Sequence, residues 1–273
     1  MSRTCVRVQW GVGCAVLLCG VASVSAQSTL GTAQSFAVLG GSTVTNTGPS
    51  VITGALGVSP GSAVTGFPPG TVTGTIHAGN ATAAQAQNDA TTFYNSLAGA
   101  ACSADLTGQD LGGMTLISGV YCYSSSAQLT GTLTLNAQGN ANATFILKTG
   151  STLTTASGSS VVLINGGNPC GVAWQIGSSA TLGTTTSFIG NLVALTSITL
   201  NTGADIIGRA LARNGAVTLD TNDITFAPCT AGGPPPPVPT LTTWAVIALV
   251  GLLTLAGLAT LRRRQSETGH PGH

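Results

Sequence analysis

A short Thr-Leu phrase recurs along the second half of the chain at nearly constant intervals. Its leucine stands at Leu182, Leu200 and Leu219, which are 18 and 19 residues apart, and an earlier copy at Leu153 precedes an insertion. An apolar segment comes before each copy and another follows it, with Gly, Asn or Ser at the joints. Three short strands in each repeat are typical of one coil of a triangular β-solenoid, so the repeat predicts a stack of such coils.

Side-chain alternation along each strand predicts one outward face lined by hydroxyl groups. If Leu182, Leu200 and Leu219 point into the solenoid and stack, the threonine before each leucine points to the solvent. Related phrases at residues 42–45 and 62–65 extend the pattern to the N-terminal part of the chain. The candidate binding residues on this flat face are Thr43, Thr45, Thr65, Thr152, Thr154, Thr181, Thr199 and Thr218.

Between the two solenoid parts the apolar period becomes helical. Residues 81–97 contain neither Gly nor Pro, and Asn80 before them is a good N-cap residue. We therefore expect one long helix over about 81–97, lying along one face of the solenoid. Its apolar stripe consists of Ala83, Ala86, Ala90, Phe93 and Leu97.

Charged residues are scarce, which excludes several classes of protein. Lys and Arg number 8 and Asp and Glu number 7, together 5% of the chain, against roughly 25% in an ordinary globular domain. A helical bundle needs more Lys and Glu on its solvent faces. The net charge of +1 leaves no basic patch for nucleic acid.

The few ionisable residues of the central domain do not form a recognisable catalytic pattern. Asp205, Asp220 and Asp223 lie near two arginines in sequence, and we interpret them as turn caps because no close pair of acids suited to glycan cleavage is predicted. His77 is the only histidine before the C-terminal tail, and no Cys-x-x-Cys spacing occurs. We expect no catalytic residue, no metal ion and no cofactor.

Charge also ranks the candidate faces. Lys148, Arg209 and Arg213 are predicted on a second face, and their charges make it a poor surface for ordering water. Asn201 and Asp220 are expected on the threonine face, where they make it less uniform.

The N-terminus predicts export. Two arginines at positions 3 and 7, an apolar stretch at 12–21 and small residues at 24–26 indicate a signal peptide over residues 1–26. An uncleaved anchor helix is the alternative, although the apolar run is short for a membrane span.

The C-terminus predicts a membrane anchor. Residues 244–261 are apolar and uncharged, and three arginines follow at 262–264. This pattern predicts a transmembrane helix at 244–261 with a short cytoplasmic tail at 265–273. A Pro-rich linker at 232–237 separates it from the preceding domain, residues 27–231.

Four cysteines, Cys102, Cys122, Cys170 and Cys229, remain after removal of the signal peptide. An even number of cysteines in an exported domain indicates two disulfides, for which three connectivities are possible. We prefer Cys102–Cys122, which closes a local excursion, and Cys170–Cys229, which ties the last strand to the body.

The tail resembles a known class of sorting signal. Val238, Pro239, Thr240 and Leu241, followed by Trp244, the apolar span and the arginines, resemble the Ile-Pro-Thr-Leu-type signal of Gram-negative bacteria, with Val238 replacing Ile. The resemblance implies processing by an exosortase-type membrane enzyme. A plain permanent membrane anchor is the alternative.

The body of the chain resembles the large microbial ice-binding protein family. The resemblance rests on residues 39–48 (LGGSTVTNTG), 57–70 (GVSPGSAVTGFPPG), 174–185 (WQIGSSATLGTT) and 208–221 (GRALARNGAVTLDT). It implies an all-β fold with one long helix. The solenoid would be right-handed, discontinuous and triangular in cross-section, with its terminal segments interleaved and the α-helix packed along one face.

The resemblance implies a monomeric protein whose partner is an ice crystal surface. We expect it to be exported to the outer cell surface or secreted by a Gram-negative bacterium, after initial anchoring by the C-terminal helix. A cell-surface adhesin of the same fold, binding glycans or other cells, is the main alternative, and a glycan-active enzyme is a third.

Overall fold

The computed structural model describes residues 30–226. Two blocks of β-strands are separated by one long helix. A 3₁₀-helix at Gly31–Ser35 opens the chain. The first block comprises β1 (Phe36–Gly40), β2 (Thr43–Thr47), β3 (Val51–Thr53), β4 (Ala55–Val58), β5 (Ala63–Thr65), β6 (Thr71–Val72) and β7 (Ile76–Ala78), and the helix is α1 (Ala81–Ala98).

The second block contains fifteen strands and a 3₁₀-helix at Pro169–Gly171. The strands are β8 (Ala104–Asp105), β9 (Thr115–Ile117), β10 (Gly119–Tyr123), β11 (Ala127–Leu129), β12 (Thr132–Asn136), β13 (Phe145–Thr149), β14 (Leu153–Thr155), β15 (Ser160–Ile164), β16 (Val172–Ile176), β17 (Ala180–Leu182), β18 (Ser187–Ala194), β19 (Ile198–Leu200), β20 (Asp205–Ala212), β21 (Val217–Asp220) and β22 (Asp223–Thr225).

The strands pair in parallel and form the three faces of a β-solenoid. One face is a separate seven-stranded sheet in the order β11-β14-β17-β19-β21-β2-β5. The other strands form a continuous fifteen-stranded sheet that provides the remaining two faces. The predicted fold class, a β-solenoid with one long helix, is confirmed.

The eight-residue strands β18 and β20 run through the corner between these two faces without a loop. Their glycines Gly190 and Gly208 pair at the corner with φ angles of 121° and 149°. A Cβ atom on Gly208 would lie 2.0 Å from the carbonyl oxygen of Gly190, so only glycine permits the turn and the close stacking here.

The order of the coils differs from the order of the chain. Strand β1 lies between β20 and β4, β2 lies between β21 and β5, and β3 lies between β22 and β6. The N-terminal coils therefore continue the stack beyond the last C-terminal coil. This is the discontinuous arrangement that the family resemblance implied.

The helix α1 covers one face of the solenoid. It begins at Asn80, whose side chain accepts a hydrogen bond from the Ala83 amide at 3.0 Å, and it ends at Gly99. Its buried side, which includes Ala86, Ala90 and Phe93, packs against Val193 and Leu211 of the sheet. This face is the one that we call the helix face.

The three cations that were predicted on the second face, Lys148, Arg209 and Arg213, all lie on the helix face. Each of them contacts a neighbouring segment of the chain. The Nζ of Lys148 donates to the carbonyl oxygens of Ala98 and Ala100 at 2.7 Å each, at the C-terminus of α1. The guanidinium of Arg213 lies 4.6 Å from the ring centroid of Tyr94. Arg209 is buried beneath the N-terminal 3₁₀-helix. This face is therefore occupied by the protein itself.

One disulfide lies wholly within the described residues. Cys102 and Cys122, the first preferred pair, are joined by a disulfide, and Cys170 is also disulfide-bonded. Cys229 lies outside the described residues, as do the predicted signal peptide, sorting motif and membrane span. Within residues 30–226, no helix combines the length and apolar character that are needed to cross a membrane.

Candidate functional site

The seven-stranded sheet carries a row of six outward threonines at one level. Parallel pairing places Thr181 between Thr154 and Thr199, and Thr45 between Thr218 and Thr65. Neighbouring strands lie about 4.7–4.9 Å apart, so the six threonines extend over about 24 Å. The complete row, which we call the threonine row, is Gln128, Thr154, Thr181, Thr199, Thr218, Thr45 and Thr65.

A second row of small side chains lies two residues earlier on the same coils. Thr43 pairs with Ala63, and the hydroxyl of Thr152 donates to the Oγ of Ser126 at 2.8 Å. Since alternate residues of a strand face the same side, this flanking row lies beside the threonine row. Its members are Ser126, Thr152, Ser179, Ser197, Ala216, Thr43 and Ala63.

All eight candidate threonines therefore lie on one sheet. Six of them form the threonine row, and Thr43 and Thr152 belong to the flanking row. Of the two candidates Thr152 and Thr154, it is Thr154 that pairs with Thr181. Leu153 pairs with Ala180, so the Thr-Leu phrase begins two residues earlier on β14 than on β17, and an offset of two residues leaves every side chain on the same face.

The Thr-Leu phrase does not identify the serines of the flanking row or Gln128 at the end of the threonine row, because these residues lie outside such phrases. Counting back two residues from each row threonine would have found Ser179 and Ser197, because side chains alternate with a period of two.

The threonine sheet is accessible and almost free of charge. Thr65, Thr154 and Thr218 are exposed, and the other row threonines are partly exposed. Asp220 is the one charged residue within the seven strands of this sheet. It pairs with Thr47 at the margin of the sheet, where its carboxylate accepts hydrogen bonds from the hydroxyls of Thr202 and Thr221.

Buried aliphatic side chains support the threonine row from beneath. Val44 pairs with Val217 and with Val64, and Ile198 pairs with Ala180 and Val217 on the inward side. Val44, Ile198 and Val217 have no exposed surface. Close packing of this kind resists displacement of a strand, so the rows of hydroxyls above it are held in place.

A buried polar network joins the N-terminal and C-terminal coils beside the threonine row. The Nδ2 of Asn222 donates to the carbonyl oxygens of Asn201 at 3.0 Å and Ala204 at 2.8 Å, and its main-chain amide donates to the Oγ of Ser50 at 3.0 Å. The Ser50 hydroxyl donates in turn to Asn46 Oδ1 at 2.5 Å. This network, which we call the junction network, crosses the point where β21 meets β2.

The described acidic residues serve local hydrogen bonding. Asp205 Oδ1 accepts from the Asp223 amide at 2.7 Å, and Asp223 Oδ1 accepts from the Thr225 hydroxyl at 2.9 Å. Within residues 30–226, no three His, Cys, Asp or Glu side chains are grouped so as to hold a metal ion. The threonine sheet is the candidate site that combines regularity, exposure and low charge.

Comparison with protein families gives two matches that together cover most of the chain. Residues 38–225 match the model of the family described as ice-binding-like. Residues 236–264 match the model of the IPTL-CTERM motif.

The similar proteins and solved structures described next are all named as ice-binding proteins. An ice-binding protein of Nostoc sp. (strain HG1) is 58% identical over 207 residues, which are 76% of this chain and 77% of that protein. The crystal structure of an ice-binding protein from an Antarctic biological consortium matches with a TM-score of 0.71 and 44% identity, covering 82% of this chain and 96% of that one.

The crystal structure of the ice-binding protein from the Antarctic ascomycete Antarctomyces psychrotrophicus has a TM-score of 0.70 and 41% identity. It covers 72% of this chain and 97% of that one. The match thus covers almost all of these two solved chains. The comparisons give no support to the adhesin alternative.

Proposed function

The chain belongs to the ice-binding-like family, and on this premise we propose that it binds ice through the threonine row and its flanking row. The observation that carries this assignment is the register: six threonines occupy one level on six successive parallel strands. The surface is exposed, and its only charged strand residue, Asp220, lies at the margin.

The chemistry of this sheet suits a crystalline ligand. Ice presents oxygen atoms at fixed intervals, and a parallel sheet presents side chains at intervals of about 4.7–4.9 Å between strands. The threonine methyl group orders nearby water and its hydroxyl can join the hydrogen-bonded lattice. Its branched Cβ restricts χ1, so little side-chain freedom is lost when the surface meets ice.

We also propose that the protein is exported and reaches the cell surface. The match to the IPTL-CTERM motif supports this localisation, and residues 1–26 have the features of a signal peptide. An exosortase-type enzyme of a Gram-negative host would process the tail after membrane anchoring through residues 244–261. The ice-binding domain would then act outside the cell, as a monomer and without catalysis.

The first prediction concerns the threonine row itself. In a protein comprising residues 27–233, the double substitution Thr181→Tyr and Thr199→Tyr should reduce ice adsorption by about tenfold or more, because two bulky rings keep a flat lattice away from the sheet. Adsorption is measured as the fraction of protein incorporated into a slowly growing ice front, and ice crystal shape is recorded on a cold stage.

The matched control places two tyrosines elsewhere. Asn88→Tyr and Asn95→Tyr alter exposed positions of α1 and should leave adsorption unchanged. Both variants should unfold at nearly the temperature of the unaltered protein. Unaltered protein that is excluded from ice would refute ice binding, and equal loss in the two variants would refute the choice of surface.

A further inference from the structure

The third face of the solenoid carries its own regular row of outward residues. This face is formed by β9, β12, β15, the first halves of β18 and β20, β22, β3 and β6. Thr134 pairs with Thr115 and Val162, and Ile207 pairs with Ile189 and Thr225. The complete row is Thr115, Thr134, Val162, Ile189, Ile207, Thr225 and Thr53, and we call it the β-branched row.

Every member of the β-branched row is valine, isoleucine or threonine. Strands β15 and β18 pair at Ser160 and Ser187, and Val162 and Ile189 each follow two residues later on the same face. The three aliphatic members therefore occupy neighbouring strands in the middle of the row, with threonines on both sides. All of them have the restricted χ1 angle that branching at Cβ imposes.

The aliphatic members are open to solvent in the described part of the chain. Ile207 is 50% exposed, Val162 is 39% exposed and Ile189 is partly exposed. The buried side of α1 packs on Val193 and Leu211, which lie beyond the corner glycines on the helix face. Three large aliphatic side chains on adjacent strands form a continuous apolar strip.

We propose that the β-branched row is a second ice-contacting surface, an inference that rests on the function proposed above. Each coil contributes one residue to the threonine row and one to the β-branched row, so both rows have the same interval between strands. The methyl groups of Val, Ile and Thr at this interval order water next to the sheet as the methyl groups of the threonine row do. Outer threonines add hydroxyls on both sides of the strip.

A second copy of the chain is a less suitable occupant of this face. A stable protein interface buries about 800 Å² on each partner and has a core of large apolar or aromatic side chains. The exposed aliphatic side chains of this face, which also include Ile117 on β9 and Val51 on β3, are interspersed with threonines and contain no aromatic residue that could form such a core. A flat surface of rigid, β-branched groups instead suits a flat, regular ligand.

Two carboxylates limit the proposed surface at one side. Asp205 and Asp223 lie on β20 and β22, two residues before Ile207 and Thr225, and both are exposed. Exposed carboxylates hold water in an arrangement of their own, which does not suit an ordered contact. The contact is therefore centred on Thr134, Val162 and Ile189, away from these carboxylates.

The inference is tested with substitutions on each face. A third-face variant, Thr134→Tyr and Val162→Tyr, is compared with Asn88→Tyr and Asn95→Tyr, both in the unaltered domain and in the background of Thr181→Tyr and Thr199→Tyr. Incorporation into a growing ice front is measured for each, and fluorescently labelled protein is adsorbed to a single-crystal ice hemisphere to record the planes that it covers. Thermal unfolding verifies that each variant folds.

We expect the third-face variant to lower incorporation by at least about threefold relative to the helix control, or to remove one set of labelled planes. In the threonine-row background it should abolish the residual adsorption. If it equals the helix control in both backgrounds, the β-branched row merely forms good strands and the inference is wrong. The unaltered protein tests the proposed function separately. If that protein is excluded from ice, the proposed function fails, whatever the third-face variant does.

Discussion

At the scale of single residues, Arg209 is a buried charge in a protein with very few charges. It is 1% exposed, its Nη1 donates to Asn191 Oδ1 at 2.7 Å, and its Nη2 donates to the carbonyl oxygen of Gln34 at 2.7 Å. The guanidinium also lies 4.3 Å from the ring centroid of Phe226. Burial lowers the pKa of Arg209 to about 10, so the side chain is still charged at neutral pH.

Replacement of Arg209 should be costly for stability and neutral for ice binding. Arg209→Leu removes the donors to Gln34 and Asn191 and leaves buried acceptors unpaired, so we expect the free energy of unfolding to fall by about 2–4 kcal/mol. Urea unfolding measures this change. Ice incorporation at 0 °C should be unaltered, because Arg209 lies on the helix face. A fall in stability below about 0.5 kcal/mol would contradict the role assigned to these hydrogen bonds.

The outward direction of the threonines could be predicted from side-chain alternation. Which threonine pairs with which on the neighbouring strand could not be predicted. A shift of two residues preserves the face, so Thr152 and Thr154 are equivalent candidates until strand pairing is known. Buried polar residues such as Thr155 were also beyond sequence reasoning. Thr155 stands level with Leu129, and its hydroxyl lies 2.8 Å from that of Thr186.

At the scale of structural elements, the contact between β21 and β2 is where two distant parts of the chain must align. Four residues of β2 pair with β21, and this pairing brings Thr45 level with Thr218. The junction network lies beside this contact, and Asn222 is almost fully buried within it. The side-chain oxygen of Asn222 also accepts from the Asp220 amide at 2.6 Å.

Loss of the Asn222 side chain should weaken this alignment indirectly, because that side chain holds in place the main-chain amide that donates to Ser50 of the N-terminal coils. Asn222→Ala leaves two carbonyl groups and one amide without these partners, so we expect a fall in unfolding free energy of about 3 kcal/mol. We also expect a partial loss of ice incorporation at 0 °C in protein that circular dichroism shows to be folded, because Thr45 and Thr65 lose their fixed position relative to Thr218.

Asn191→Ala is the matched control for this prediction. Asn191 is also buried, and its Nδ2 donates to the carbonyl oxygen of Val172 at 3.3 Å, but it lies on the helix face. It should lose stability without losing ice incorporation. Equal effects of the two variants on ice incorporation would show that the junction network has no specific positioning role.

Sequence patterns predicted the helix better than they predicted the strands. The apolar stripe and the Asn80 cap located α1, which ends one residue beyond the expected position. The repeats located three strands per coil but not the continuous corner strands β18 and β20. That feature depends on the pairing of Gly190 with Gly208, and a glycine in a single sequence does not reveal its partner.

At the scale of the whole molecule, the Cys102–Cys122 disulfide fastens the segment after α1 to the first coil of the second block. The two cysteines are 20 residues apart. Replacing both by serine should lower the unfolding free energy by about 2–3 kcal/mol, since the unfolded chain is then less constrained. Ice incorporation should persist at low temperature, because the threonine row and the β-branched row lie on other faces. Thermal unfolding and ice incorporation measure the two effects, and loss of incorporation in the folded variant would contradict this separation.

The stacking order of the coils could not be obtained from residue patterns alone. Apolar periodicity defines each coil but not its neighbour, and the discontinuous order was expected only through the family resemblance. Aliphatic inward residues are similar in every coil, so long-range specificity depends on features such as Asn46, Ser50 and Asn222. These contacts join residues up to 172 positions apart.

The interleaved order of the coils determines when paired strands become available during synthesis on the ribosome. Thr45 and Thr218 are 173 residues apart, and a bacterial ribosome takes roughly 9–35 s to add that many residues. During this time the first three strands have been synthesised while their neighbours β20, β21 and β22 do not yet exist. The N-terminal coils can therefore join the stack only when synthesis of the domain is nearly finished.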